Sequence, residues 1–356
     1  MKLHIFNPEH DIALAHDNPF FTAPFAGRRL RSDLGFIPAL WADDGDYVLV
    51  DDVQLSVDTL DKIDSLASKV IFISLQDLRH LSKDSQLKNK LVVDPWGWDS
   101  ALCHQLVKNG FNVDLLPSNE QLKSIRTMSG RRWFANTIIR EMKMFADGTY
   151  EAPCSFSSVD DLQRNLCRSP HHKFVLKEPW SSSGRGVRFV SCDIDDHTVN
   201  WVSRVVRQQG HIMCEPYYDK TLDFASEFYS HKDGKVTYEG LSLFHTTGGA
   251  YTGNIVDTER HKLHILSEYV DLAEYEAAVN FLCNILSNHL KGIYVGPLGV
   301  DMMALPGKRL YPCVELNLRR TMGHVALSVK SKLPPPLIFS ISYTDRYKLE
   351  LHTYEP

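Results

Sequence analysis

The 356-residue chain lacks the features that mark several large protein classes. Its seven cysteines are scattered, with no C-x-x-C pair, which argues against a disulfide framework or a cysteine-based zinc site. No apolar run approaches the roughly 20 residues of a membrane span, and the opening MKLHIFNPEHD does not resemble a secretory signal. The formal charge of -5 provides no overall basic surface for nucleic acid or an anionic membrane. We therefore expect a cytoplasmic protein with small-molecule partners.

Two common nucleotide-binding motifs are also missing. No G-x-x-x-x-G-K-[ST] sequence occurs, so the chain has no P-loop, and no G-x-G-x-x-G follows a predicted strand. Hydrophobic residues make up 43% of the chain and charged residues 23%, a balance typical of globular proteins. A chain of this length has room for two or three packed units.

The first third of the chain alternates short apolar strands with helical patterns. We predict strands at 3–6, 47–50, 70–74 and 91–93. Helical spacing is found at 57–66 and 101–107. Alternation of this kind predicts a parallel α/β sheet, and we expect this first unit to span 1–117.

A different order of elements follows. The capping-box pair Ser118 and Gln121 begins a helical region that we expect to continue to residue 142. Strands are predicted at 173–177, 187–190 and 211–214, which gives a second unit over 118–212. Longer strands and one long helix then predict a third unit over 213–330. Residues 331–356 form a proline-led tail that we interpret as a linker into a terminal strand or as an extended arm.

The first chemically informative segment reads KEPWSSSGRG. Lys177 ends a predicted strand, and a serine- and glycine-rich turn follows that includes Ser182, Ser183, Gly184 and Gly186. Glycines allow backbone N–H groups to approach an anion closely, and the lysine adds a positive charge for a phosphate oxygen. The alternative is a plain hairpin loop.

The second segment carries acidic side chains on adjoining strands. Because side chains alternate along a strand, Glu315 and Asn317 share a face, and pairing about the turn at 306–307 can bring Asp301 onto it. Such a group of oxygen donors suits Mg²⁺ shared with phosphates. The alternative is that Asp301 and Glu315 form salt bridges with lysines or with Arg319.

Together, and in this order, the two segments resemble the ATP-grasp superfamily over about residues 118–330. The resemblance implies an N-terminal parallel α/β domain followed by a two-lobed domain, with ATP bound between two sheets. It implies a magnesium triad of Asp301, Glu315 and Asn317, and catalytic roles for Lys177 and Arg319. It further implies these nucleotide contacts: Lys177, Ser182, Ser183, Gly184, Gly186, Glu215, Tyr218 and Asp223.

The chain departs from the family at an early small-lobe lysine. Arg131 and Arg132 occupy that neighbourhood, and either could contact a phosphate. Proline 216 also interrupts the hinge, which leaves fewer backbone donors than usual around Tyr218.

Acceptor contacts are expected in three places. Asn7 follows the first strand, where open α/β sheets bind ligands, although this segment could be an ordinary capped turn. Tyr251 lies in a glycine-rich segment at 245–254 that we interpret as a loop for substrate or as a long connection. Arg319 and Arg320 follow the triad and are further candidates. A cluster at Arg28 to Arg31 could attract an anionic substrate or be a solvated helix face.

The resemblance implies a carboxylate–amine ligase that uses Mg-ATP and forms an amide through an acyl phosphate. A kinase on the same fold and a non-catalytic nucleotide-binding protein remain as alternatives. Proteins of the superfamily are often dimers, so a homodimer is a further expectation.

Overall fold

The structure is a computed structural model that describes residues 1–61, 67–81, 90–145, 150–181, 184, 186–247, 250–330 and 336–353. Within these ranges the chain forms three sheets, one in each predicted unit. No helix of the described ranges is long and apolar enough to cross a membrane.

The N-terminal unit is built on a parallel sheet of order β3-β2-β1-β4. Its strands are β1 (Lys2–Ile5), β2 (Tyr47–Leu49), β3 (Ile71–Ile73) and β4 (Val92–Pro95). The helices are α1 (His10–His16), α2 (Phe25–Asp33), α3 (Val53–Leu60), α4 (Leu75–Leu81) and α5 (Ser100–Lys108). The predicted parallel α/β unit is confirmed. The first strand is the centre of the sheet, so its carboxyl end lies at the point where the strand order reverses.

The small lobe contains an antiparallel sheet of order β5-β8-β6-β7. Its strands are β5 (Cys154–Phe156), β6 (Lys173–Lys177), β7 (Val187–Ser191) and β8 (Ile212–Pro216). Its helices are α6 (Asn119–Met128), α7 (Arg131–Asn136), α8 (Ile138–Glu141), α9 (Val159–Arg168) and α10 (Asp196–Gln209). The capping box at Ser118 is confirmed, since its hydroxyl accepts from Gln121 N at 3.2 Å and the Gln121 side chain accepts in return at 2.8 Å.

The helical region expected from Ser118 to residue 142 is present as the successive helices α6, α7 and α8. One small-lobe prediction needs correction. The boundary between 212 and 213 falls inside β8. That strand pairs with β6, with Lys177 opposite Met213, so the lobes divide after Pro216.

The large lobe is a seven-stranded antiparallel sheet of order β13-β12-β9-β10-β11-β14-β15. Its first strands are β9 (Leu222–Ser230), β10 (Val236–Thr247), β11 (Ala250–Val256), β12 (Gly296–Leu305) and β13 (Arg309–Asn317). Its helices are α11 (Glu259–Ser267), α12 (Leu272–Leu290) and α13 (Met322–Lys330). The long helix α12 buries Tyr275, Val279, Leu282, Leu286 and Leu290, as its apolar spacing predicts.

The segment 245–254 is predicted as a loop, but residues 245–247 and 250–254 belong to the hairpin of β10 and β11, and Gly248 and Gly249 lie outside the described residues. Phe244 pairs with Asn254 and His245 with Gly253. Consecutive polar residues without apolar alternation made this stretch resemble a connection.

The end of the chain is also part of the large sheet. Strands β14 (Leu337–Tyr343) and β15 (Tyr347–Thr353) form a hairpin, and β14 pairs with β11. Of the two interpretations of the tail, the structure therefore supports terminal strands. A second hydrophobic core contains Phe6 and Trp96 from the N-terminal unit together with Val325 of α13 and Phe339 of β14. The first and last parts of the chain thus share one core.

Candidate functional site

The predicted triad lies together on one face of the large sheet. Strands β12 and β13 pair about the turn at Pro306 and Gly307, and Asp301 stands directly opposite Glu315. Asn317 donates from Nδ2 to Asp301 Oδ1 at 3.1 Å. Antiparallel partners share a face, so these side chains present their oxygens to the same space.

Asp301 is a half-buried acid on β12. It has no ion-pair partner within the part of the chain that the structure describes. Burial raises the pKa of the Asp301 carboxyl well above its ordinary value, and the negative charges of Glu315 and Glu227 add to that effect. The hydrogen bond from Asn317 and the charge of Arg319 act in the opposite direction but are weaker. A bound cation would supply the positive charge that this position lacks.

Arg131 reaches Glu315 across the cleft between the lobes. Its Nη2 donates to both carboxylate oxygens of Glu315, at 2.6 and 2.8 Å. Arg132, by contrast, is exposed on α7. Of the two predicted arginines, the structure therefore brings only Arg131 to the triad. Glu315 does form a salt bridge, but with this arginine rather than with a lysine or Arg319.

Lys177 lies at the end of β6, where it forms an ion pair with Glu215 of the neighbouring β8. Both side chains are about one-tenth exposed, at 11% and 12%. The pair is therefore largely buried within the small-lobe sheet.

The glycine-rich turn after β6 is described only in part, since Ser182 and Ser183 lie outside the described residues. Gly184 has φ 70°, a left-handed conformation that favours glycine. A Cβ at Gly186 would lie 2.4 Å from the Ser181 hydroxyl oxygen, so a side chain has no room there. Glycine at position 186 therefore lets the turn pack closely against Ser181.

The predicted base and ribose contacts lie beyond the lobe boundary. The Tyr218 hydroxyl accepts a hydrogen bond from Glu151 N at 2.8 Å, and its ring lies 5.6 Å from that of Tyr311. Asp223, on β9, pairs with Lys220. Asp223 opposes Met303 of β12, on the same sheet face as Asp301.

The two arginines that follow the triad point to different partners. Arg319 donates from Nη2 to Asn317 Oδ1 and from Nε to Asp11 of α1, both at 2.9 Å. Arg320 instead pairs with Asp94 at 3.1 Å and lies over the Trp41 ring at 4.3 Å. Arg319 is thus adjacent to the triad, whereas Arg320 is buried against the N-terminal unit.

The remaining acceptor candidates are separated from the triad. Asn7 is buried at the carboxyl end of β1, where its side chain bonds Gly97 and Asp99. It lines a cavity of about 350 Å³, together with Glu9, Arg28 and Arg31. Tyr251 lies on β11 and donates to Asn254 at 2.6 Å. Three strands separate β11 from β13 in the sheet order, so Tyr251 is remote from Glu315 in the sheet.

The donor set fits a magnesium ion that is shared with phosphates. Two carboxylates and an amide oxygen are hard ligands, and Asp301 lacks a positive partner, as argued above. Within the described ranges no cluster of three or more histidine, cysteine and acidic residues could hold a metal alone. A cation here would therefore take further ligands from a nucleotide or from water.

Neither a protein-family profile nor a curated protein matches the sequence. Among solved structures, 96% of the chain aligns with 75% of a biotin carboxylase from Campylobacter jejuni, solved as a β,γ-ATP complex, at 12% identity and TM-score 0.51. An Archaeoglobus fulgidus protein assigned to the ATP-grasp superfamily aligns over 100% of both chains, at 14% identity and TM-score 0.46. N5-carboxyaminoimidazole ribonucleotide synthetase from Thermus thermophilus aligns over 96% of this chain and 83% of its own, at 14% identity and TM-score 0.49. The chain has the ATP-grasp fold.

Glu227 was not among the predicted site residues. This residue of β9 is 1% exposed, accepts from the Thr321 hydroxyl at 2.8 Å and lies 3.0 Å from His324. An acid between apolar residues in the middle of β9 was the available signal. The contact of Asp11 with Arg319 was not predicted either, because the two residues are 308 positions apart and no local pattern relates them.

Proposed function

We propose that the chain is an ATP-dependent carboxylate–amine ligase that binds Mg-ATP between its lobes and forms an amide through an acyl phosphate. The observation that carries the proposal is Asp301, which has no ion-pair partner among the described residues and faces Glu315 and Asn317, while Arg131 contacts Glu315 from the small lobe. Negative ligands on one wall and cations on the other suit a metal–triphosphate group.

The residues divide into two sets by charge. Asp301, Glu315 and Asn317 would hold Mg²⁺, which would offset the negative charge of the phosphates. Lys177 and Arg131 bind phosphate oxygens. Backbone amides of the turn that contains Gly184 and Gly186 add hydrogen bonds, with Ser182 and Ser183 as proposed partners. Glu215, Tyr218 and Asp223 contact the nucleoside in this proposal.

The reaction proceeds in two displacements. An oxygen of the substrate carboxylate attacks the γ-phosphorus, the bond to the β–γ bridging oxygen breaks, and ADP leaves. An amine then attacks the acyl carbon, inorganic phosphate leaves, and the nitrogen loses a proton. Arg319, fixed by Asn317 and Asp11, lies where it can stabilise the transferring group electrostatically.

The acceptor is proposed to enter from the N-terminal unit. The cavity at the carboxyl edge of the parallel sheet holds about 350 Å³, enough for a small organic molecule. Arg28 and Arg31 lie three residues apart on α2 and both line it. Arg31 forms ion pairs with Glu9 and Asp51, so Arg28 is the cation proposed to attract an anionic group. Asn7 forms part of the floor. Arg320 and Tyr251 remain predicted substrate contacts, although their observed bonds are made within the protein.

Isothermal titration of ATP, with and without Mg²⁺, tests the site. Wild type should bind ATP more tightly when Mg²⁺ is present, and Glu315→Ala should lose this dependence. Glu276→Ala is a matched control, because Glu276 is an exposed acid on α12. Wild type without nucleotide binding at millimolar ATP would rule out the ligase.

A screen for products then separates ligase from kinase. Amino acids and small peptides are supplied in pairs with Mg-ATP, and phosphate release is measured together with product mass. A ligase needs both acceptors and releases inorganic phosphate. A phosphorylated product from one acceptor alone would establish a kinase instead.

A further inference from the structure

The contact between Arg131 and Glu315 joins a proposed phosphate-binding residue to a proposed magnesium ligand. One nitrogen, Nη2, lies within hydrogen-bond distance of both carboxylate oxygens, at 2.6 and 2.8 Å. The two residues are 184 positions apart and belong to different lobes. A divalent cation bound at Glu315 would therefore lie close to a guanidinium of the same charge sign, which disfavours cation binding while the pair is intact.

The same guanidinium also contacts the start of the glycine-rich turn. Its Nη1 donates to the Glu178 carbonyl oxygen and to the Ser181 hydroxyl, the latter at 2.9 Å. Its Nε is buried and has no acceptor among the described residues. An unpaired buried donor costs free energy, so the observed arrangement leaves part of the hydrogen-bonding capacity of Arg131 unused. Phosphate oxygens are charged acceptors that suit a guanidinium better than this arrangement does.

We infer that Arg131 is a positioning residue that exchanges partners when nucleotide binds. Without nucleotide it occupies Glu315 and keeps the cation out. With nucleotide it turns to a phosphate, and Glu315 becomes available to Mg²⁺. The inference rests on the proposed Mg-ATP site and adds an order to it, since cation and nucleotide then bind as a coupled pair.

Coupling of this kind is reciprocal. If nucleotide raises cation affinity by some factor, the cation raises nucleotide affinity by the same factor. The exchange can be distinguished from simple phosphate binding by two effects of removing the Arg131 charge. Cation binding without nucleotide should become stronger, and nucleotide binding should become weaker. A residue that served only to bind phosphate would show the second effect without the first.

Mn²⁺ binding, followed by electron paramagnetic resonance in the full chain without nucleotide, tests the exchange. Arg131→Gln should bind Mn²⁺ about fivefold more tightly than wild type, or better, which is the lower range of typical coupling factors. ADP should then enhance Mn²⁺ affinity much less in the variant than in wild type. Arg140→Gln is the control, since it removes the same charge from an exposed position on the adjoining helix α8.

Arg131→Lys is a second variant that tests the exchange if Arg131→Gln does not fold. Lysine keeps the charge but lacks the planar fork that reaches Glu315 and the turn together, so its Mn²⁺ affinity should lie between wild type and Arg131→Gln. Unchanged Mn²⁺ affinity in a folded Arg131→Gln overturns the inference. If wild type still binds ATP with Mg²⁺ dependence in that case, the proposed function stands, and only the exchange is lost.

Discussion

Two largely buried aspartates, Asp94 of the N-terminal unit and Asp301 of the large lobe, have opposite charge surroundings. At Asp94, burial raises the pKa, but the charge of Arg320 and the hydrogen bond with His4 outweigh it, so the pKa is held below its ordinary range. At Asp301, burial and the neighbouring acids raise the pKa together. Asp94 forms an ion pair with Arg320, whereas Asp301 has no ion-pair partner among the described residues and feels only a weaker effect from the charge of Arg319.

The difference indicates which acid is structural and which is available to a ligand. Asp94 contacts His4 within the N-terminal unit and forms an ion pair with Arg320 of the segment after β13. A buried acid without such partners persists only if something else stabilises it, and a cation is the simplest candidate. Two kinds of mutation test this difference: removal of the ion-pair partner of Asp94, and a change of charge near Asp301.

The largest expected effect follows the loss of a partner at Asp94. Arg320→Ala leaves the carboxylate with less compensation and should destabilise the chain by about 3 kcal/mol, the lower part of the range for broken buried pairs, since Asp94 is 17% exposed. Urea unfolding followed by fluorescence measures the change. Arg260→Ala, at an exposed position on α11, should have little effect. An equal loss in the two variants would contradict the structural role.

The second largest expected effect is the pH dependence of cation binding at Asp301. A cation needs the ionised carboxylate, and the raised pKa keeps the proton on Asp301 to a higher pH than usual. Affinity for Mn²⁺ with ADP present should therefore fall as pH is lowered from 8 to 6, by up to about tenfold per pH unit for one proton. A flat profile over this interval would show that Asp301 titrates as an ordinary acid.

Asp301→Asn should stabilise the nucleotide-free chain at high pH. Because the pKa in the folded chain lies above the unfolded value, stability from this group is present at low pH and is lost as pH rises through the folded pKa. The neutral asparagine removes that loss, so urea unfolding should show a gain of about 1 kcal/mol at pH 8 and less at pH 5. Destabilisation at both pH values would mean that the carboxylate contributes to the fold.

The smallest effect is expected at Glu227, which is one of the charges that raise the pKa of Asp301. Glu227→Gln should move the midpoint of the Mn²⁺ pH profile down by roughly half a pH unit, because the charge of Glu227 adds less to the pKa of Asp301 than burial and Glu315 do. Glu239→Gln, an exposed acid on β10, should leave the midpoint in place. A midpoint that is equal in wild type and Glu227→Gln would separate Glu227 from the site.

Much of the fold could be predicted because its signals are local. The alternation of β1 to β4 with helices, the capping box at Ser118 and the strand Lys173–Lys177 all follow from neighbouring residues. The hairpin of β10 and β11 could not be separated from a loop, because its polar residues lack the usual alternation with apolar ones. Pairing of β14 with β11 is likewise a contact between distant segments.

The site shows the same division. Asp301, Glu315 and Asn317 were predicted together because one turn relates their strands. The partners of Arg319 and Arg320 were not predictable. These adjacent residues contact Asp11 and Asp94 of the N-terminal unit, which are more than 220 positions earlier in the sequence. Arg131 and Arg132 have the same chemistry, and only the packing of α7 shows which one reaches the cleft.

The shared second core has a consequence for synthesis on the ribosome. Phe6 and Trp96 are synthesised long before Val325 and Phe339, which pack in the same cluster. The N-terminal unit therefore keeps part of its apolar surface exposed until residues 325–339 have been made, and it cannot complete its folding earlier. Nascent chains released before residue 325 should require chaperones far more than chains that include residue 353.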